Sequence, residues 1–511
     1  MKRRDYLRSL GLGAGACLLG SNAFAAKRRQ PNLLFVFPDQ MRREAMGFWQ
    51  QGRFKGVLPT LSDPVYTPVL DQLAQESVVF TQAVSTCPVC SPYRAMLMSG
   101  MWPWQNGVVN NCHQNRRDSL RHDIDCFTDV LRNAGYSTCY VGKTHWEMNK
   151  PLFDENQNYV GVTEAPGGHY INAYDTYIPP GRGRHSNDYW FQCVKDVHKD
   201  PYVYSNRPEQ IEGKKDGIQY RPKLYSPKLE ADVVIDYLQN NTGQRDGSKP
   251  FSIIWAPNPP HSPYGSEKDC DEVVYRELYK GKEGLLNRPN VTGENKALAE
   301  KRAPFYFSNV TGIDKQLGRI LQVLEESGEA DNTIVVFTAD HGEMMGSHNK
   351  FGKLVIYEEA FCVPLMIKYP GKTKGTLEDL MITPPDIMPT VLGLLGLEDR
   401  IPETVEGKNY SREIISGDWA TQSKPKSAHF LGFNSKFRGL RTDRYTYQID
   451  ETGEQMLFDN KNDPYQMTKL QLTDIPEADA DFILSELGMW LKQSGDPWFR
   501  QKKLSSVIKY P

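Results

Sequence analysis

The sequence predicts an α/β protein. A large domain on a mostly parallel central sheet flanked by helices precedes a smaller C-terminal α+β subdomain with a short antiparallel sheet. Three observations predict this. Short apolar runs alternate with helical periodicities along the first 395 residues, the pattern of strand–helix–strand units. Polar groups able to do chemistry follow directly after four of those runs, where open α/β sheets bind ligands. Beyond residue 395 the alternation gives way to closely spaced short strands and one amphipathic helix. A chain of 511 residues has room for one large domain plus a smaller one.

The elements follow in order. Residues 32–37 (NLLFVF) form a continuous apolar run, as expected of a parallel strand buried on both faces. Thr67 and Pro68 predict a helix start, with a capping hydroxyl and then proline at the first helical position. Residues 127–132 read as helix, 138–141 as a short strand and 251–256 (FSIIWA) as another buried strand. Ile313, Leu317, Ile320, Leu321 and Leu324 recur at helical spacing and mark a core-facing stripe, and 332–338 (NTIVVFT) reads as strand. Residues 150–228 are rich in Tyr, Gly and Pro with little periodicity and are expected to form long loops over a substrate site. Residues 437–447 and 454–458 suggest antiparallel strands, and 478–492 an amphipathic helix, within a subdomain spanning 396–511.

Residues 1–25 have the parts of an export signal in order: basic Lys2, Arg3 and Arg4, a Gly/Ala/Leu stretch, then Ala23-Phe24-Ala25 as the small-residue cleavage pattern. The run Arg3-Arg4-Asp5-Tyr6-Leu7-Arg8 resembles a twin-arginine signal, which implies a periplasmic or secreted protein. Cys17 could suggest lipidation, but Ala14 stands where a larger aliphatic residue is preferred. The domain expected to carry the chemistry then spans 26–395. A formal net charge of −2 gives no electrostatic footprint for nucleic acid or an anionic membrane. No apolar run is long enough to span a bilayer.

The polar groups past the strand ends are Asp39 and Gln40, Lys143 and His145, His261, and Asp340 with His341. Cys90-Ser91-Pro92-Tyr93-Arg94 fits a C-x-P-x-R pattern. Together with Gly142-Lys143-Thr144-His145, Pro260-His261-Ser262-Pro263, Asp340-His341-Gly342 with Gly346, His348 and Lys353, and Leu457-Phe458-Asp459, it resembles the type I formylglycine-dependent sulfatases of the alkaline phosphatase superfamily. The resemblance runs through nearly the whole chain after the signal and implies an alkaline-phosphatase-like fold. It implies that Cys90 is oxidised to formylglycine by a separate maturase, and that the hydrated aldehyde attacks sulfur. One divalent metal would be held by Asp39, Gln40, Asp340, His341 and the modified Cys90. Its oxygen-rich ligands suit Ca²⁺, while His341 leaves Mn²⁺ open. The resemblance also implies roles for Arg94 and Lys143 in neutralising charge, for His145 as a base, and for His261 and Lys353 in contacting sulfate and protonating the departing oxygen, with His348 near the substrate.

Alternatives remain at this point. Cys87 and Cys90 form a CxxC pair, which could be redox-active or a structural disulfide, but no small βαβ redox domain surrounds them. Arg184, His185 and Trp190 are plausible substrate contacts within the loop region. The functional expectation is an exported sulfatase acting on a sulfated carbohydrate. The alternatives are a phosphonate monoester or phosphodiester hydrolase of the same superfamily, and a glycan-binding protein without turnover.

Overall fold

The computed structural model describes residues 29–112, 118–148, 175–194, 197–207, 216–420, 422–432 and 436–511. The signal expected over 1–25, with Cys17, lies outside the described residues, as do residues 150–174 of the expected loop region. No helix among the described residues is long and apolar enough to cross a membrane.

Nine strands form the main sheet: β1 (Asn32–Val36), β2 (Val78–Phe80), β3 (Ser137–Gly142), β4 (Tyr189–Val194), β5 (Tyr202–Ser205), β6 (Phe251–Ala256), β7 (Thr333–Thr338), β8 (Leu365–Lys368) and β9 (Thr376–Glu378). Their order is β5-β4-β3-β6-β1-β7-β8-β2-β9. The central run β4-β3-β6-β1-β7 is parallel, and β5 and β8 pair antiparallel to their neighbours. Every residue of β1, β3, β6 and β7 is buried, which is why their sequences are mainly apolar, with a few small polar residues, rather than alternating. Their carboxyl ends are in register: Gly142 lies opposite Ala256, Trp255 opposite Val36, and Val36 opposite Phe337. The segments that follow therefore leave the sheet along one edge. Gly142 marks the tightest of these exits, since its φ is +115° and a Cβ there would strike the Ala256 carbonyl.

The predicted strands at 32–37, 138–141, 251–256 and 332–338 correspond to β1, β3, β6 and β7. The helix expected at Thr67-Pro68 is Pro68–Glu76, with proline in its first turn. The Thr67 hydroxyl does not cap it, however. It accepts from the Gly47 N–H at 2.8 Å and donates to Asp71 at 3.0 Å. The open N–H groups of Val69 and Leu70 are instead taken by the Asp314 carboxylate, at 3.2 and 2.7 Å. Asp314 belongs to the 31-residue helix Lys296–Glu326, which also carries the stripe expected at 313–324.

The expectation of loops throughout 150–228 needs correction, because β4 and β5 lie in that stretch and extend the main sheet. Three residues expected as substrate contacts there are structural. Trp190 is fully buried, and His185 is buried against Asp129 at 3.1 Å. Buried Arg184 forms a fork on Asp216 at 2.8 and 2.9 Å. Their aromatic and cationic character serves packing: the Arg184 guanidinium lies over the rings of Tyr177 and Trp190.

The second sheet is an antiparallel meander of β10 (Ser427–Leu431), β11 (Phe437–Thr442), β12 (Tyr445–Asp450) and β13 (Gln455–Asp459). One face packs on the helix Glu477–Gln493 through Leu440, Tyr447, Ile449, Leu457, Ile483, Leu487 and Leu491. Phe430 and Phe458 pack with Met344, Tyr357 and Phe361 of the main domain, in the segment that follows β7. The Leu431 N–H donates to the Thr86 carbonyl at 2.7 Å, just before Cys90. The smaller sheet thus braces two of the segments that leave the larger one.

One buried acid gives a pH test of the packing. Glu230, on the helix Ser226–Gln239, is fully buried and accepts from Trp255 Nε1 at 2.9 Å. Burial raises its pKa from 4.5 to about 8, although hydrogen bonds from Trp255 and Cys193 oppose the rise. The folded state therefore holds this proton more tightly than the unfolded state. Stability falls as pH climbs from the unfolded value toward the folded one. Glu230→Gln keeps the shape and an acceptor for Trp255. Its melting temperature should match that of the wild type near pH 4.5 and exceed it increasingly up to pH 8, as thermal melts across that range would show.

Candidate active site

The four in-register strand ends deliver their polar residues to one place. Past β1, the Asp39 N–H donates to the Pro257 carbonyl at 3.0 Å, and Asp39 bridges to Pro260 as an isolated parallel pair. That contact draws the β1 and β6 exits together. Past β7, Gly342 packs so tightly on the Glu359 carbonyl that no Cβ fits. A hairpin-like turn then returns the chain to Lys353, held by Met344 N–H to the Gly352 carbonyl and Gly346 N–H to the Lys350 carbonyl, both at 2.8 Å. Cys90 is the first residue of the helix Cys90–Ser99, all ten residues of which are buried.

Asp39, Cys90, Asp340 and His341 form a buried cluster whose ligand atoms all lie within 4.8 Å of one another. Cys90 Sγ is 3.3 Å from His341 Nε2, 3.6 Å from Asp39 Oδ1 and 3.9 Å from Lys143 Nζ. Arg94, one turn along the same helix, reaches both carboxylates: Asp39 at 3.1 Å and Asp340 at 3.2 Å. Its other terminal nitrogen donates to the Lys143 carbonyl at 2.7 Å, and its guanidinium sits 4.9 Å over the Phe37 ring. Lys143 Nζ pairs with Asp39 at 2.8 Å. His341 Nδ1 donates to the Gly342 carbonyl at 3.1 Å, so Nε2 is the ring nitrogen turned into the cluster. His145, at φ +54°, directs Nε2 to the Cys112 carbonyl at 3.3 Å.

A second chain of contacts runs along the rim. Lys353 Nζ is 2.6 Å from Gln40 Oε1 and 2.8 Å from His261 Nε2, while His261 Nδ1 is 2.8 Å from the Ser262 carbonyl. Sequence reasoning thus named residues that the fold gathers: Asp39, Gln40, Cys90, Arg94, Lys143, His145, His261, Asp340, His341 and Lys353. His348 stands apart, stacked on Tyr357 at 3.7 Å and 3.3 Å from Asn290.

Three residues escaped the sequence reading. Glu343, fully buried, accepts from Gln40 Nε2. The Tyr306 hydroxyl donates to the Gln40 carbonyl at 2.8 Å, and the Ser85 hydroxyl to the Asp340 carbonyl at 2.7 Å. Only Glu343 carried a signal, its place directly after Asp340-His341-Gly342.

The electrostatics favour ionisation at Cys90 and treat the two carboxylates unequally. Burial works against ionisation of Cys90, but Lys143, Lys353 and His341, with a hydrogen bond to His145, hold its pKa well below that of an ordinary thiol. At Cys87 burial outweighs the single opposing cation, Arg438, and pushes the thiol up to about 12. The eight cysteines among the described residues are all free, so the CxxC pair is no disulfide. Burial and Cys90 raise the Asp39 pKa, yet Lys143, His261 and Arg94 outweigh them and hold it well below the usual carboxylate range. Asp340 is raised by burial and by Asp39, with His341 and Arg94 only partly offsetting this. A donor set of two carboxylates, one imidazole nitrogen and the nearby Gln40 amide fits a divalent cation.

Residues 31–397 match the family model described as Sulfatase, and 346–483 match the model described as N-sulphoglucosamine sulphohydrolase, C-terminal. The chain is 39% identical over 510 residues to an endo-4-O-sulfatase of Bacteroides thetaiotaomicron, covering 95% of this chain and 96% of that protein. It is 33% identical over 453 residues to an ulvan-active sulfatase of Formosa agariphila, covering 86% and 77% respectively. A solved structure from a study of glycosaminoglycan metabolism by Bacteroides thetaiotaomicron superposes with a TM-score of 0.85 at 38% identity, covering 94% of this chain and 100% of that one.

The geometry makes Arg94 the brace for both carboxylates. Arg94→Ala would leave two buried carboxylates without their shared partner, at a cost of about 3–5 kcal/mol. Denaturant unfolding of the variant beside the wild type should show that loss, with Arg94→Lys intermediate because one ammonium cannot reproduce the fork.

Proposed function

Because the chain belongs to the sulfatase family of the alkaline phosphatase superfamily and is a sulfuric ester hydrolase, we propose that it removes sulfate from a sulfated glycan. It would use a formylglycine made from Cys90 and a divalent cation held by Asp39, Gln40, Asp340 and His341. The observation that carries this is the place of Cys90. It heads a helix within a C-S-P-Y-R segment, against Asp39, His341 and Lys143. The hydrated formylglycine supplies a hydroxyl nucleophile, and the cation supplies Lewis-acid charge at sulfate.

This chain's own residues do the rest. Arg94 keeps Asp39 and Asp340 in place from behind, its terminal nitrogens committed to them and to the Lys143 carbonyl. Lys143 adds positive charge beside the nucleophile position. His145, oriented by the Cys112 carbonyl, would serve as the base in the elimination that frees sulfate. His261 and Lys353 lie 2.8 Å apart at the rim, where either would be placed to give a proton to the departing alkoxide.

The glycan reading is supported by the names of the two relatives, one acting in endo fashion at O4 sulfate and the other on ulvan. Calcium is the cation we favour, on the oxygen-rich donors. We also propose export through the signal at 1–25 to the periplasm or medium. Cys90 is only 2% exposed in the folded chain. A maturase reading the C-x-P-x-R segment would therefore act before folding, hence before a folded-protein export route.

Two measurements test the proposal. Peptide mass spectrometry on protein co-produced with a maturase should find Cys90 converted to the aldehyde. That protein should release sulfate from sulfated oligosaccharides, and Cys90→Ala should lower the rate by at least about 10³-fold, as expected on losing a covalent nucleophile. Unmodified Cys90 despite an active maturase would overturn the formylglycine reading. Activity on aryl phosphonates but on no sulfated sugar would overturn the substrate reading.

A further inference from the structure

We propose that Glu343 is a positioning residue that locks the Gln40 amide with its oxygen toward the cation site, and that it supplies from behind the charge Gln40 lacks. The inference rests on the cation site proposed above and assigns a residue behind it.

The geometry carries the argument. Gln40 sits at φ +64° in the left-handed region, its backbone N–H on Asp340 Oδ1 at 2.9 Å and its carbonyl on the Tyr306 hydroxyl. Its side-chain amide lies between two charged groups: Lys353 Nζ at Oε1 and Glu343 Oε2 at Nε2. An ammonium only donates and a carboxylate only accepts. A flipped amide would set N–H against N–H on one side and oxygen against oxygen on the other. One orientation therefore survives, and it leaves the second lone pair of Oε1 for a cation.

Glu343 is itself immobilised. It is fully buried, and its other oxygen accepts the N–H groups of Met345 and Gly352, both at 2.8 Å. The hydrogen bond from Gln40 to an ionised acceptor polarises the amide and makes its oxygen a better ligand, as outer carboxylates do for ligating histidines. The same two backbone contacts shape the turn that brings Lys353 to Gln40.

The test must separate orientation of Gln40 from support of that turn. Ca²⁺ binding is measured by titration calorimetry on the full chain with Cys90 unconverted, and Mn²⁺ in parallel, so that no turnover is needed. Glu343→Gln should weaken Ca²⁺ by about 10- to 100-fold. In a Gln40→Asp background the sign should reverse. There the new carboxylate faces Glu343, and Glu343→Gln relieves the repulsion and tightens binding. Melting temperatures of all four proteins verify folding. Equal weakening in both backgrounds would reduce Glu343 to a support for the turn and overturn the proposal, as would no effect in either. A parent protein that binds neither cation would overturn the cation reading, and this inference with it.

Discussion

Two carboxylates, Asp39 and Asp340, are buried side by side, and the edge of the sheet is organised around keeping them there. Taking an ion out of water costs several kcal/mol even after relaxation, so such a pair persists only with partners of opposite charge. Arg94 bridges the two, and Lys143 adds a second cation on Asp39. The compensation is unequal. Asp39 is held strongly ionised while Asp340 is pushed toward its protonated form. That imbalance is what a bound cation would remove, since a positive charge between the two favours ionisation of both.

The backbone meets this demand with left-handed conformations at two of the strand exits. Gln40 and His145 both have positive φ without being glycine, and Gly142 turns where no Cβ fits. Such positions cost free energy and persist where surrounding contacts over-determine them. Here the contacts come from both sheets. Arg43, three residues past Gln40, pairs with Glu358 at 3.2 Å, and Glu358 pairs with Arg441 of β11 at 2.8 Å. Phe430 stacks on Phe361 at 5.0 Å. The small sheet is thus part of the frame that holds the β1 and β7 exits.

Much of this was legible in the sequence, for a physical reason. Strands buried on both faces leave continuous apolar runs, and a ligand site at their carboxyl ends places its polar residues directly after them. Asp39, Lys143, His261 and Asp340 stand out on that basis alone. β4 was hidden because Trp190 and Gln192 sit among tyrosines and loop-forming residues, and its neighbour β5 is only four residues long. Arg184, His185 and Trp190 looked like exposed contacts because the side chains that bind sugars also fill irregular cores. Thr67 looked like a helix cap because the pattern is local, whereas the true cap, Asp314, comes from 244 residues away. Glu343 follows Asp340-His341-Gly342 directly, but its contact with Gln40 could not be read because the two lie 303 positions apart.

The charges around the site can now be set against one another. Arg94, Lys143 and Lys353 stand against Asp39, Asp340 and Glu343, so with both aspartates ionised, as a bound cation favours, these six side chains balance. A divalent cation added to a balanced site leaves it positive, which is the sign needed to attract an anionic ester and to stabilise charge developing on its leaving oxygen. Had the carboxylate of Glu343 stood at position 40 instead, the total would be the same, but a negative group would face the incoming sulfate. Held one hydrogen bond further back, it balances Lys353 and orients the amide while the surface that meets the substrate stays neutral at that point. On the proposed cation site, the division of labour between Gln40 and Glu343 would therefore separate two tasks that a single aspartate would have to combine: ligating the cation and balancing the lysine.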